Sequence, residues 1–297
     1  MKLARERGDI DDFRLALAAA QTLERAARVQ SSFISLLVAN AMHRLMRIEA
    51  AAVLLNKSDP FWLDALQSFV HDADMFDVSA ALEVEEMLTL DTLAEYFSDH
   101  TRLRKGLEHP DYEKRFSPLV LKLYDGDDSD SRFRLGTFAE NTAALADQWE
   151  SLSQRLKQEP YQRATVADID DSFDLAIPTS LQSMLDRIVT QADRDLVFRR
   201  ALRVMFELEK HWLQHGRYPQ TIAECPAAAS ISDPFSGASF GYRLIDQRTD
   251  KIGRGYLLWT TGLDRNDDGG VANKNRDQGL RRPDPGHDVI VNDPTWW

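Results

Sequence analysis

Asp264, Asn266 and Asp268 alternate along the chain, and Gly269 follows at once. Side chains two residues apart can turn their oxygens toward one point while a glycine lets the backbone close around it. This is how a calcium loop of the EF-hand kind begins, and calcium takes about six to eight oxygens at roughly 2.3–2.6 Å. The position that should close such a loop with a bidentate glutamate is Asn275, so a calcium site needs ligands from elsewhere. Lys274, Arg276, Arg281 and Arg282 follow and either neutralise the carboxylates or point away. The competing reading is a solvated Asp/Asn/Gly loop that holds no ion.

Other residue types with chemical potential are weighed against plainer roles. His211 and His215 stand four apart, so on a helix they share a face and can hold zinc; a histidine at a helix C-terminus explains His215 as well. His71 and Asp72, with Asp74 and His43, suggest a metal-dependent hydrolase, a chemistry that needs a further histidine and aspartate to converge. Glu83, Glu85, Glu86 and Asp91 read as the solvated face of a helix rather than an acid and base pair. Cys225 lies beside Pro226 in a loop, and neither a nucleophile elbow nor a phosphate-binding glycine loop is present. The reading is therefore non-catalytic.

The whole composition is compatible with this. A chain of 297 residues with 43% hydrophobic and 28% charged residues has the make-up of a folded globular protein. Its 36 basic against 48 acidic residues, net −12, suit a divalent cation and argue against a nucleic-acid backbone or an anionic membrane surface as partner. A single cysteine excludes an internal disulfide. The start has no apolar leader, and the longest uncharged run, near Ser31 to Met42, is too short to span a bilayer, so no membrane span is expected within these residues.

The elements that must carry these residues are mainly helical. Apolar positions recur at three and four residues from Asp9 to about Val29, and again along Phe33, Leu37, Ala41, Leu45, Ile48, Ala52 and Leu55, with Ile34, Val38, Met42 and Met46 as a second row. Ser58-Asp59-Pro60 starts a third helix and Asp77 a fourth. A shorter helical piece with Phe116, Leu119, Leu121 and Leu123 leads to an acidic linker at 125–131. Helices are expected from Arg132 to about Gln158, from Ser180 to Thr190 and from Asp193 to His215. After Gly216 the period changes, and Ser239–Ile245, Gly255–Thr260 and His287–Val291 read as three strands.

The order of His215-Gly-Arg-Tyr-Pro219 at a helix end, Asp233-Pro-Phe-Ser-Gly237, Phe240-Gly-Tyr242, Trp259-Thr-Thr-Gly-Leu-Asp264 and Asp288-Val-Ile290 resembles the globular half of type II secretion major pseudopilins. The resemblance covers roughly Asp193 to Trp297. It implies a long helix on a three-stranded antiparallel sheet and a calcium-binding loop before the last strand, with Asp288 and the Leu263 carbonyl joining Asp264, Asn266 and Asp268 as ligands. The prepilin-peptidase site and assembly helix of that family are missing, and about 190 residues of helix stand in their place. The combination is similar to bacterial envelope proteins in which a membrane-anchored helical domain carries such a module, which implies a periplasmic or extracytoplasmic location and an anchor upstream of Met1.

The resulting expectation is a mainly α protein. A helical-hairpin or repeat-like domain occupies residues 1–190, and a pseudopilin-like α+β module residues 191–297. Its role is structural or interactive, with calcium pinning the 262–286 loop to the last strand. A protein partner held in a groove of the helical domain is the main alternative. Trp296 and Trp297 either pack back on the sheet or form an exposed partner-binding patch.

Overall fold

The computed structural model describes residues 1–28, 33–56, 59–71, 79–98, 136–163, 175–248, 250–272, 278–280 and 284–293. The 125–131 linker, the helical piece before it, Asp72, Asp74, Lys274, Asn275, Arg276, Arg281, Arg282, Trp296 and Trp297 lie outside these residues.

The chain is mainly helical with a small antiparallel sheet near its C-terminus. A short helix α1 (Lys2–Arg7), which the apolar spacing does not announce, ends at Gly8 with φ 75°. In α2 (Ile10–Arg28) the Asp9 carboxylate accepts from the Asp12 N–H at 3.0 Å, and Phe13 and Leu17 are buried. Then come α3 (Phe33–Asn56) and α4 (Pro60–His71). Asp59 starts α4 by accepting from the backbone N–H groups of Phe61 at 2.9 Å and Trp62 at 3.0 Å. Next are α5 (Ser79–Ser98) and α6 (Phe138–Lys157), the latter opened by a reciprocal cap between Thr137 and Glu140.

α7 (Ala176–His215) is one continuous helix of 40 residues, not the two separate helices expected over 180–190 and 193–215. Gln191-Ala192 contains no breaker, and Asp193, where the second helix was expected to begin, is paired with Arg163, as Asp195 is with Arg47. Gly216, in the left-handed region at φ 70°, ends it. After α8 (Pro226–Ala229) come β1 (Gly241–Leu244), β2 (Tyr256–Thr260) and β3 (Val289–Ile290), antiparallel in the order β1-β2-β3. Register sets Gly241 opposite Trp259 and Trp259 opposite Ile290. A Cβ at Gly241 would fall 2.0 Å from the Trp259 ring, so only glycine admits that indole across the ladder.

Packing does not follow chain order. The larger core joins Phe13, Met46, Leu54, Trp62 and Leu66 of the first helices to Val197, Met205 and Leu208 of α7 and to Phe235, Tyr256 and Leu258 beside and within the sheet. A smaller core joins Leu82 and Leu93 to Leu145, Trp149 and Leu152 and to Leu185, Ile188 and Val189. The expected boundary at 190/191 falls inside α7, whose first half serves the smaller core and whose second half serves the larger.

The face that α3 buries also differs from the expected stripe. Met46 of the expected rows is buried, but Leu37, Val38 and Leu45 are exposed, and Ala39, Ala50, Val53 and Leu54 are buried together with the polar Asn40 and Arg47. A helix with apolar residues on every side carries a weak periodic signal. On the buried face Arg47 pairs with Asp195 of α7 at 2.6 Å beside the apolar residues that join the larger core.

Candidate metal centre

The loop is held by partners on several elements. Tyr218, just past the α7 cap, donates to both carboxylate oxygens of the buried Glu209 at 2.9 and 3.0 Å, and Tyr242 of β1 donates to the Pro219 carbonyl at 2.7 Å. Burial and the Glu209 charge push the Tyr218 hydroxyl well up, so it stays a donor. Asp233, 1% exposed, accepts from Phe235 N–H at 3.1 Å, Thr260 Oγ1 at 2.5 Å and Thr261 N–H at 3.2 Å. The Asp-Pro turn is thereby fastened to the end of β2. At the other end of the ladder Asn292 accepts from Leu258 N–H at 3.0 Å and donates to the Tyr256 carbonyl at 2.7 Å, fixing the chain after β3.

From this anchorage the chain enters a 3-10 turn, Gly262–Asp264, and then Arg265, which has φ 62°, the only positive φ outside glycine among the described residues. The Arg265 guanidinium donates to the carbonyls of Pro160 and Arg163 at 2.9 and 2.8 Å, holding the loop against the segment after α6. Asp267 accepts from Trp259 Nε1 and from Gly269 N–H, both at 2.9 Å, so the β2 indole sets the turn. Gly270 N–H donates to Asp288 Oδ2 at 2.7 Å, and Asp288 N–H donates to the Val271 carbonyl at 2.7 Å. Gly270 takes φ 78°, in the left-handed region that favours glycine, where its N–H meets Asp288.

Within this frame Asp264 Oδ2, Asp268 Oδ2 and Asp288 Oδ1 are each buried with no hydrogen-bond partner. A buried carboxylate oxygen without a donor is costly and uncommon in native proteins. Burial pushes the Asp288 carboxyl up to about 6, against the donated N–H groups of Gly270 and Asp268, and the charges of Asp267 and Asp268 add to the rise. Asp264 is raised too, by burial first, with the charges of Asp268 and Asp284 adding to it and the Asn266 N–H opposing. The Asp268 charge raises both Asp264 and Asp288, and among the described residues the main influences opposing the rise are backbone N–H groups. Asn266 is exposed, and its N–H donates to Asp264 Oδ1 at 3.2 Å; Leu263 packs at the edge of the larger core.

The donor set is hard oxygen, suited to a hard divalent cation and unsuited to soft metals. No group of three His, Cys, Asp or Glu side chains is drawn tightly together among the described residues. The unpaired oxygens are thus spaced around the loop rather than closed on one point. Two contributors escape a reading by alternation. Asp267 positions the turn through Trp259, and Asp284 bears electrostatically on Asp264 from the far end of the loop. Neither leaves a local signal in the sequence, since both act through partners that the fold brings near.

The remaining candidates that lie among the described residues are placed as follows, Asp72 and Asp74 lying outside them. The His211 and His215 rings stack at 4.1 Å between centroids, and His215 Nδ1 lies 2.9 Å from the His211 carbonyl, so the two imidazoles lie face to face. His71 contacts the Gln67 carbonyl at 2.9 Å and Glu207 at 3.5 Å, while His43 packs against Phe69. Glu83 and Asp91 are exposed, and Cys225 is buried with its thiol toward the Glu207 carbonyl. No helix among the described residues is long and apolar enough to cross a membrane. Comparison with protein-family models, with curated proteins and with solved structures finds no match to this chain.

Proposed function

We propose that this is a non-catalytic structural or interaction protein of the bacterial cell envelope, on its periplasmic or extracytoplasmic side, with a pseudopilin-like C-terminal module stabilised by calcium. The observation that carries the calcium reading is the set of three buried, unpartnered carboxylate oxygens on Asp264, Asp268 and Asp288. Asp264, Asp268 and Asp288 are the carboxylate ligands, with Asn266 and the Leu263 carbonyl completing the set. Calcium, when bound, supplies the positive charge that these carboxylates lack. Asp288 lies next to β3 and Asp264 closes the 3-10 turn after β2, so shared ligation ties the loop to the last strand. The long helix ending at Gly216, the Tyr218-Pro219 turn, the Asp233 turn and the antiparallel sheet support the pseudopilin-like reading by their order.

Calorimetry with calcium and with a chelator tests it. Calcium at a hundredfold excess over its Kd raises the unfolding free energy by about 2.7 kcal/mol, and an unchanged Tm removes the ion from the account. A second reading, a helical adaptor with a protein partner, draws on the exposed Leu15, Leu23, Leu37, Val38 and Leu45 of α2 and α3. Monomeric behaviour and unaltered solubility after replacing these five with polar residues would count against it.

A further inference from the structure

α7 meets α3 in the seam that pairs Arg47 with Asp195. About four turns further along α7, the end of the helix forms one wall of an open groove of about 400 Å³, and Glu224, Cys225 and the start of α8 form the other. His211 and His215 both line this groove, one turn apart on the same side of the helix.

His215 Nδ1 lies 2.9 Å from the His211 carbonyl. A carbonyl can only accept, so Nδ1 carries the proton and the lone pair of the neutral ring stays on Nε2. A hydrogen bond of this kind, from the second ring nitrogen to a backbone carbonyl, is what fixes the tautomer of a metal-bound histidine. His215 Nε2 has no hydrogen-bond partner among the described residues, and His211 Nε2 is buried with none. An unpartnered buried polar atom is uncommon in native proteins. The two rings stack at 4.1 Å between centroids, 23° from parallel, and His215 is exposed.

We propose that His211 and His215 bind a zinc ion through their Nε2 atoms. Zinc takes imidazole nitrogen at about 2.0–2.1 Å in a tetrahedral shell, and imidazole suits it where the carboxylate oxygens around Asp264 suit a harder ion. Nearly parallel rings set their lone pairs side by side rather than on one point, so the exposed His215 ring turns as the metal enters. No group of three His, Cys, Asp or Glu side chains includes this pair among the described residues, so water fills the other positions. Glu207 and Glu224 stand in the groove walls with Lys210 at 3.7 Å and Arg217 at 3.4 Å, and Cys225 turns its thiol to the Glu207 carbonyl, so all three stay outside the ligand pair. The site is separate from the loop and does not depend on calcium there.

The test is titration calorimetry of the full chain with zinc chloride at about pH 7.5, where free histidine is neutral, in millimolar calcium chloride to fill hard-oxygen sites first. Saturable binding of one zinc per chain is expected, with the ring signals of His211 and His215 moving in the NMR spectrum. His211→Ala and His215→Ala each weaken the apparent affinity about tenfold or more, since a lost ligand costs at least what a lost outer partner does. Asp288→Asn leaves it unchanged. At about pH 5 the affinity falls, because protons compete for the imidazoles. Circular dichroism shows whether each variant is folded, and the exposed His215 is replaced without loss of core packing. No saturable binding, undiminished affinity in folded His215→Ala or at about pH 5, or loss of zinc binding in Asp288→Asn overturns the proposal.

Discussion

The loop around Asp264 and the seam around Arg47 both bury charge, with opposite sign and opposite origin. In the seam the charges come from two helices, and the acid is matched within the chain by Arg47 and Arg199. Burial pushes the Asp195 carboxyl up, but the two arginines outweigh it and hold the carboxyl below its ordinary range. In the loop, Asp264 and Asp288 are pushed up by burial and by other acids. A packed helix pair can position its own counter-ions, because long side chains from one helix reach the other. In the loop, the acids Asp264, Asp268 and Asp288 each keep a buried oxygen without a hydrogen-bond partner.

The largest expected effect is in the seam. Asp195→Ala leaves Arg47 buried without a carboxylate, and breaking such a pair costs about 3–5 kcal/mol. Denaturant unfolding reads this as a lower midpoint at unchanged slope. A loss under about 1 kcal/mol would place the pair with weak surface bridges and erase the contrast with the loop.

The loop gives the next effect. Asp288→Asn removes one of the three unpartnered carboxylates, and the calcium-dependent rise in Tm should disappear or move to much higher calcium. An unaltered calcium response in the folded variant would take Asp288 out of the ligand set.

The two regions also predict opposite pH slopes. Asp288 has a folded pKa raised from 3.8 to about 6, so its contribution is fully present below 3.8 and is lost as pH rises through about 6 in the metal-free protein. His43 has a folded pKa lowered from 6.5 to about 3, so its contribution is present above 6.5 and is lost as pH falls toward 3. In chelator, Asp288→Asn should flatten the loss on the alkaline side and His43→Gln the loss on the acidic side. Melting curves across that range check both, and slopes of the same sign would undo the contrast.

The smallest effect separates stability from binding. Asn266 is exposed, so Asn266→Ala should change the stability of the metal-free protein by no more than about 0.5 kcal/mol. Calcium affinity, measured by titration calorimetry, should still fall if its side-chain oxygen is a ligand.

Much of the helix content and all three strands could be read from apolar periods and turn residues, because those signals are local. Asp264 and Asp268 were visible for the same reason: alternation places them in one turn. Asp288 could be named only through a resemblance in motif order, since a strand partner eighteen residues from Gly270 leaves no local trace. The Arg47 and Asp195 pair was not found at all. Its signal was the polar spacing of Asn40, His43 and Arg47 on an otherwise apolar helix, which the hydrophobic stripe masked.

By itself the amino-acid sequence determined that the chain is mainly helical with short strands after Gly216, that Gly216 ends the long helix, and which short acids follow β2. Those outcomes depend on neighbours in the chain, through caps, backbone freedom and side-chain period. Tertiary structure decided which face of α3 is buried, that α7 runs unbroken between two cores, and that Asp288 sits beside the loop. Each of these is set by contacts between residues far apart in the chain. Their energies depend on burial and on the partner across the gap, which no local pattern records.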